Sequence, residues 1–200
     1  MQENNKNRVV VTGIGVLTAA GSTKERFWTS LINGVSGIRK IPNDKLDTTD
    51  FRTKIAAIIE DFKPEKFIPV KNIKRMDPCT QFAVATTSLA LEDSGLRITD
   101  EMKDDIGVIL GSAVAGMVSH DNSARALFVR GHRYVDPMTV PLVMFNAAAS
   151  NISMHFGLRG VSYALATACS SASNAIGEAY QKIRIGYQKI MIAGGSDAPI

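Results

Sequence analysis

Residues 161–178 read VSYALATACSSASNAIGE and form a junction between a predicted strand and a predicted helix. The β-forming run at 161–166 is followed by small residues that open an amphipathic helix. Cys169 lies at this junction, where unpaired backbone N–H groups and the helix dipole favour a negatively charged sulfur. Because the thiolate is the nucleophilic form of cysteine, the junction predicts Cys169 as a nucleophile. The simpler interpretation is a buried cysteine acting as a small apolar side chain.

Apolar runs alternate with amphipathic segments along the rest of the chain. Continuous apolar runs, typical of parallel strands buried on both faces, lie at 8–13, 106–111 and 189–195, and a weaker strand pattern lies at 55–59. Helical spacing predicts helices between Thr23 and Gly34, at 78–93, 118–130 and 143–156, and from the junction to about 184. This alternation predicts an α/β fold with a largely parallel sheet.

Composition excludes several classes of protein. With 45% hydrophobic and 21% charged residues, the 200-residue chain has the balance of an ordinary globular protein. Its net charge of +4 comes from scattered basic residues, which does not favour nucleic-acid binding. The polar N-terminus lacks the apolar core of a signal peptide, and no apolar run approaches the ~20 residues of a membrane helix. We therefore expect a cytoplasmic protein without membrane insertion.

The cysteine and histidine spacing gives no metal signature. Cys79 and Cys169 lie far apart, which argues against a zinc site and a disulfide, and Cys79 is predicted to be structural. The chain's histidines, His120, His132 and His155, lie in no local catalytic signature, so none is assigned as a base for the thiol.

Two glycine loops and one basic cluster remain. Gly13, Gly15 and Gly21 do not complete a dinucleotide-binding pattern, because Thr18 occupies the position of its third glycine. The loop at 111–116 follows a predicted strand, and is either a plain turn or a pocket wall to which Val114 contributes. The basic cluster consists of Lys71, Lys74 and Arg75. It is either a solvated face or a docking site for an acidic partner.

Five short motifs occur in an order that resembles the β-ketoacyl-acyl-carrier-protein synthases, above all the type II condensing enzymes. They are VVVTGIG at 9–15, RMD at 75–77, TACSS at 167–171, AIGEA at 175–179 and MIAGGS at 191–196. The resemblance implies a thiolase-like α/β fold with a mixed, largely parallel sheet. The complete fold has a five-layered αβαβα architecture, and this chain would be its N-terminal half. It implies that residues 1–200 are an N-terminal synthase domain that is incomplete at its C-terminal end.

The resemblance also implies an acyltransferase of fatty acid biosynthesis. Cys169 would take an acyl chain from acyl carrier protein as a thioester, and malonyl carrier protein would lose carbon dioxide and attack it. Val114 would line the acyl pocket, and the Lys71, Lys74 and Arg75 cluster would dock the carrier protein. Residues 133–146 would border the pocket at a homodimer interface. No metal or other cofactor is expected, since acyl groups arrive on the carrier's phosphopantetheine.

The family's catalytic histidines, lysine and gating loop all belong to its second half. The resemblance therefore implies that this chain alone is acylated but does not complete condensation. Three other interpretations stay open. The chain could belong to a polyketide-type ketosynthase, or to a non-catalytic or split subunit that a second half or subunit complements. It could also be an unrelated α/β cysteine hydrolase that uses one of the three histidines as its base.

Overall fold

The computed structural model describes residues 7–199, which form helices around a short parallel sheet. The strands are β1 (Arg39–Lys40), β2 (Ile55–Ala56), β3 (Ile106–Gly111), β4 (Ser162–Leu165) and β5 (Ile190–Gly195). The α-helices are α1 (Lys24–Ile32), α2 (Val70–Ile73), α3 (Pro78–Ser94), α4 (Met117–Arg130), α5 (Thr139–Val143), α6 (Ala147–Phe156) and α7 (Ser171–Arg184). Short 3-10 turns lie at Pro64–Lys66, Asp100–Asp105, His132–Tyr134 and Ala168–Ser170.

The sheet has the order β4-β3-β5, and both pairings are parallel. Parallel neighbours need long crossovers, which α4 to α6 supply between β3 and β4, and α7 supplies between β4 and β5. All three strands therefore end at one edge of the sheet, with Gly111 opposite both Leu165 and Gly195. The predicted parallel sheet is confirmed for these strands, while β1 and β2 form a separate antiparallel pair.

The core lies on both faces of β3, which is buried throughout. Val108 and Leu110 belong to a cluster that includes Val84 of α3 and Ile152 of α6. Ile109 points to the other face and packs against buried alanines of α7. Because successive strand residues face opposite sides, this arrangement makes three layers, helix on sheet on helix.

Asp77 joins the starts of two helices. Its side chain is 1% exposed, and one carboxylate oxygen accepts a hydrogen bond from the Cys79 amide at 3.0 Å, which caps α3. The other oxygen accepts from the Ser119 amide in α4 at 2.9 Å. The carboxylate therefore satisfies free N–H groups of both helices and holds α4 beside α3.

The predicted strand at 8–13 is wrong. Residues 7–17 have no strand pairing, and Val11 is 79% exposed. The segment instead lies against α3, so closely that a Cβ on Gly15 would come within 2.9 Å of the Ala90 amide nitrogen. The Ile14 amide donates to the Asp93 carboxylate at 2.9 Å rather than to a neighbouring strand. The Asp93 side chain of α3 thus accepts a backbone hydrogen bond that a neighbouring strand would accept in a sheet.

Two other boundaries differ from the predictions. The strand expected at 55–59 shortens to β2, and the helix expected at 143–156 begins only at Ala147, as α6. The extended backbone of Met144, φ −63° and ψ 138°, separates α6 from the short helix α5, which the sequence patterns did not indicate. The apolar pattern continues through this break, so periodicity alone does not reveal it.

Candidate active site

The carboxyl ends of β3, β4 and β5 bring three loops together. The Ser112 amide donates to the Leu165 carbonyl at 3.1 Å, which ties the loop after β3 to the end of β4. The Ser196 amide donates to the Gly111 carbonyl at 3.1 Å, which ties the loop after β5 to the end of β3. This is the edge at which open α/β sheets bind their ligands.

Cys169 lies in the turn between β4 and α7, and its side chain is exposed. The preceding residue, Ala168, has φ +51° and is the one non-glycine residue with positive φ between residues 7 and 199. A left-handed backbone at an alanine costs about 1–2 kcal/mol. Such strain at a strand-to-helix turn is typical of sites that project a nucleophile into an open cleft. The junction predicted from sequence is therefore present, and the thiol is not buried.

Side-chain hydroxyls hold this turn in shape. The Ser171 hydroxyl donates to the Ala168 carbonyl at 2.7 Å and accepts from the Thr167 amide at 2.8 Å. The Ser170 hydroxyl donates to the Thr167 carbonyl at 2.7 Å. The Asn174 side-chain amide donates to the Thr167 hydroxyl at 2.8 Å, which links the turn to the second turn of α7. Hydroxyls and an amide thus fix the turn on both sides of the thiol.

Two glycines let α7 start directly on the sheet. A Cβ on Gly111 would lie 2.5 Å from the Ala172 amide nitrogen and closer still to the Ser171 carbonyl group. A Cβ on Gly195 would lie 2.6 Å from the Ala172 side chain. Because real Cβ atoms do not approach this closely, glycine at the ends of β3 and β5 is what seats the Cys169 turn against the sheet.

Val114 and Cys169 follow neighbouring strands at the same edge. Val114 lies three residues beyond β3, and Cys169 lies four residues beyond β4, with Gly111 and Leu165 in register. Val114 is half-buried, and its amide donates to the Asp197 carboxylate at 3.0 Å. The structure therefore brings the two predicted loops together, and adds Asp197, which sequence patterns did not indicate.

The predicted basic cluster lies at and just after α2. Lys71 belongs to α2, Lys74 ends it, and Arg75 follows. All three side chains are exposed, and none forms a salt bridge with any residue of the described chain. Three exposed cations that no salt bridge engages leave a local positive surface that an acidic partner can meet.

The described histidines do not form a pair with the thiol. His120 and His132 are exposed, and no hydrogen bond joins a histidine side chain to Cys169 within residues 7–199. His155 precedes β4 while Cys169 follows it, so a strand length of roughly 13 Å separates them. Burial also lowers the pKa of His155. The arrangement does not support a cysteine–histidine hydrolase.

The second cysteine is structural, as predicted. Cys79 is buried in the first turn of α3, and the Gly116 amide donates to its sulfur at 3.4 Å. Burial raises the pKa of the Cys79 thiol to about 12, so the neutral form persists at physiological pH. The described residues contain no group of three acidic, histidine or cysteine side chains that could hold a metal. None of the helices in the described chain is long and apolar enough to cross a bilayer.

A family model and individual relatives of this chain point to the same family. The family model "Beta-ketoacyl synthase, N-terminal domain" matches residues 6–200. The 3-oxoacyl-acyl-carrier-protein synthase 2 of Vibrio cholerae is 39% identical over 193 residues, and that of Staphylococcus aureus is 35% identical over 197. These alignments cover 96% and 98% of this chain but 46% and 47% of the relatives. The chain therefore spans about half the length of the curated relatives it matches.

Solved structures agree on the fold. The ishigamide ketosynthase/chain length factor superposes with a TM-score of 0.83 at 26% identity, covering 96% of this chain and 48% of that chain. A type II polyketide acyl-carrier protein in complex with its ketosynthase, AntDE:AntF, gives 0.81 at 20% identity, covering 94% and 50%. At that identity the second likeness concerns the fold alone. These neighbours confirm the predicted thiolase-like α/β fold class.

Proposed function

Because the chain belongs to the β-ketoacyl synthase family, we propose that its protein is a β-ketoacyl-acyl-carrier-protein synthase that carries an acyl chain on Cys169. The observation that supports this most directly is the exposed thiol in its strained, hydroxyl-braced turn at the carboxyl edge of the sheet. The family's N-terminal domain model covers residues 6–200, which supports treating the whole described chain as that domain.

The acylation step uses the thiol as a nucleophile. The Cys169 sulfur attacks the carbonyl carbon of the acyl thioester, and the carrier's thiol leaves with the proton once the carbon–sulfur bond to the carrier breaks. The tetrahedral oxyanion needs backbone donors. The amides of Ala113 and Val114 already donate to Asp197, so the amide of Cys169 is the proposed donor from this chain.

Condensation needs a second set of groups. Malonyl thioester loses carbon dioxide, its carbanion attacks the acyl carbonyl on Cys169, and the sulfur leaves as the carbon–carbon bond forms. By the family resemblance, the histidines that promote decarboxylation belong to the second half. No described histidine lies at the thiol, so we propose that a second half, in the same polypeptide or in a partner, completes the reaction.

Acyl carrier protein is the proposed partner. The exposed cations Lys71, Lys74 and Arg75 offer a positive surface for an acidic carrier, and one structural neighbour is a ketosynthase in complex with its carrier. No metal or other cofactor is required, because acyl groups arrive on phosphopantetheine. Residues 133–146 are the proposed homodimer contact, and Val140, 65% exposed, supports an apolar interface there. A cytoplasmic location fits these soluble substrates.

Fatty acid synthesis is favoured over polyketide synthesis. The relatives at 35–39% identity are named 3-oxoacyl-acyl-carrier-protein synthase 2, which supports the fatty acid type. The solved type II polyketide ketosynthase complex is 20% identical to this chain. A polyketide-type enzyme remains the second candidate because that ketosynthase has the same fold as this chain.

Acylation of the thiol tests the proposal. Incubating the full-length protein with a saturated acyl carrier protein should add the mass of one acyl group, and digestion should place it on the peptide that contains Cys169. Release of the mass by hydroxylamine identifies a thioester. An acyl group on another residue, or no acyl group on a protein that melts cooperatively, would contradict the proposed function.

Charge reversal tests the docking surface. Changing Lys71, Lys74 and Arg75 together to Glu should weaken carrier-protein binding at least tenfold at low ionic strength, measured by calorimetry or fluorescence anisotropy. The difference should shrink at about 0.5 M salt, because screening removes exposed charge interactions.

A matched single substitution controls for net charge. Arg97 is exposed and lies beyond the far end of α3, roughly 25 Å along the helix from this cluster. Lys74→Glu should therefore weaken carrier binding more than Arg97→Glu. Equal weakening by the two variants would show that net charge, and not this surface, sets the affinity.

A further inference from the structure

The Asp197 carboxylate gathers donors from a loop that lies 83 to 85 residues earlier in the chain. Its oxygens accept hydrogen bonds from the Ser112 hydroxyl at 2.7 Å, the Ala113 amide at 3.0 Å and the Val114 amide at 3.0 Å. Bonds to an ionised acceptor are about twice as strong as neutral ones. One side chain thus orients three consecutive residues of the loop after β3.

The backbone around Asp197 is itself anchored. The Ser196 amide donates to the Gly111 carbonyl at 3.1 Å, and the Ser196 hydroxyl donates to the Cys79 carbonyl in α3 at 2.6 Å. Ala198, on the other side, is buried. The carboxylate is therefore presented from a fixed point and does not follow the loop if the loop moves.

Ser112 carries the contact onward to the thiol's turn. Its side chain is held by Asp197, while its carbonyl lies 3.2 Å from the Ser171 hydroxyl, whose single proton is shared between this carbonyl and that of Ala168. Both serines are buried, at 4% and 3% exposure. The Ser171 hydroxyl is the same group that holds Ala168 and Thr167 around Cys169. A continuous path of hydrogen bonds joins Asp197 to the nucleophile's turn.

We propose that Asp197 is a positioning residue of this active site, which clamps the 112–114 loop against the Cys169 turn through Ser112 and Ser171. The positioning role rests on the proposed function, because that function makes the Cys169 turn an active site. The hydrogen bonds of the clamp do not depend on it. Asp197 touches no reacting atom. It holds Val114 in place as a wall for the acyl chain.

Hydrogen exchange tests the clamp without any substrate. In Asp197→Ala, exchange of the Ala113 and Val114 amides should rise about tenfold or more, since they lose their acceptor. The peptide that spans 167–171 should also exchange faster. Asp121→Ala is the matched control, because Asp121 is an exposed carboxylate on α4 that forms a salt bridge with Arg125 at 3.6 Å. Faster exchange confined to 112–114, with 167–171 unchanged, would overturn the clamp.

Acylation tests whether the clamp positions substrate. Asp197→Ala should lower kcat/KM for acyl transfer from a long-chain acyl carrier protein about tenfold, whereas alkylation of Cys169 by iodoacetamide should change less than about twofold. Asp197→Asn keeps one acceptor oxygen, so its kcat/KM for acyl transfer should lie between those of the wild-type protein and Asp197→Ala. Equal losses in both reactions, or no loss in either, would overturn the positioning role.

The two proposals fail separately. If the wild-type protein is alkylated but never acylated, the proposed function fails, and hydrogen exchange alone decides the clamp. If the wild-type protein is acylated and Asp197→Ala behaves identically, only the positioning role fails. Should Asp197→Ala lose cooperative melting, the Asp197→Asn variant takes its place in both measurements.

Discussion

Changing Cys169 to alanine is expected to reduce acyl transfer to the protein by at least ~10³-fold, to the limit of detection. The exposed thiol is the proposed covalent acceptor, and no other cysteine can replace it. The fold should survive, because exposed substitutions away from caps and cores usually change stability by less than about 0.5 kcal/mol. Mass spectrometry after incubation with acyl carrier protein, paired with a thermal melt, measures both effects.

Cys79 supplies the matched control for this variant. Its thiol is buried, and burial raises its pKa to about 12, so it is neither reachable nor ionised at neutral pH. Cys79→Ala should leave acylation intact while lowering stability modestly through the lost packing. Residual acylation of Cys169→Ala that disappears when Cys79 is also replaced would reassign the nucleophile to Cys79.

Changing Gly111 to alanine is expected to destabilise the protein by about 3 kcal/mol, the upper end for overpacking in a core. The added Cβ meets backbone atoms of Ser171 and Ala172, which cannot move aside as a flexible side chain can. For a chain of this size such a loss lowers Tm by roughly 6 to 12 °C. Because the clash pushes α7 away from the sheet, acylation of Cys169 should fall as well.

Gly177 is the matched glycine for this experiment. It lies within α7, and a Cβ there would meet no neighbouring atom within 4 Å. Gly177→Ala should therefore stabilise the protein by about 0.5–1 kcal/mol through helix propensity. Calorimetric unfolding compares the two variants. A Gly111→Ala protein as stable as wild type would show that α7 does not rest on β3 as closely as the structure has it.

Local patterns predicted much of the fold correctly. The strands β3 and β5 and the helices α3 and α4 appear within a few residues of their predicted bounds, although β5 is half-buried where a buried strand was expected. Their signals are local, since apolar periodicity and helix-ending glycines act within one element. The junction around Cys169 was predicted for the same reason. Its strand, small residues and helix are contiguous, so the whole junction could be read from one short run.

The first apolar run shows where local patterns fail. Residues 8–13 have a strand's composition, but an apolar run says nothing about which partner it meets. In the structure, α3 takes that place, and the Ile14 amide donates to Asp93 across 79 residues of sequence. A strand exists only where a second backbone supplies its hydrogen bonds, and that is a property of the tertiary arrangement.

The sequence by itself indicated Cys169 as the proposed nucleophile, the alternation of helices and strands, and the positive cluster around Lys74. Only the tertiary structure decided that Val114 shares an edge with Cys169, and that Asp197 holds the loop between them. The physical reason is sequence separation. Parallel strands bring their carboxyl ends to one edge through long crossovers, so Val114 lies 55 residues before Cys169 and 83 residues before Asp197, and the three leave no common local pattern.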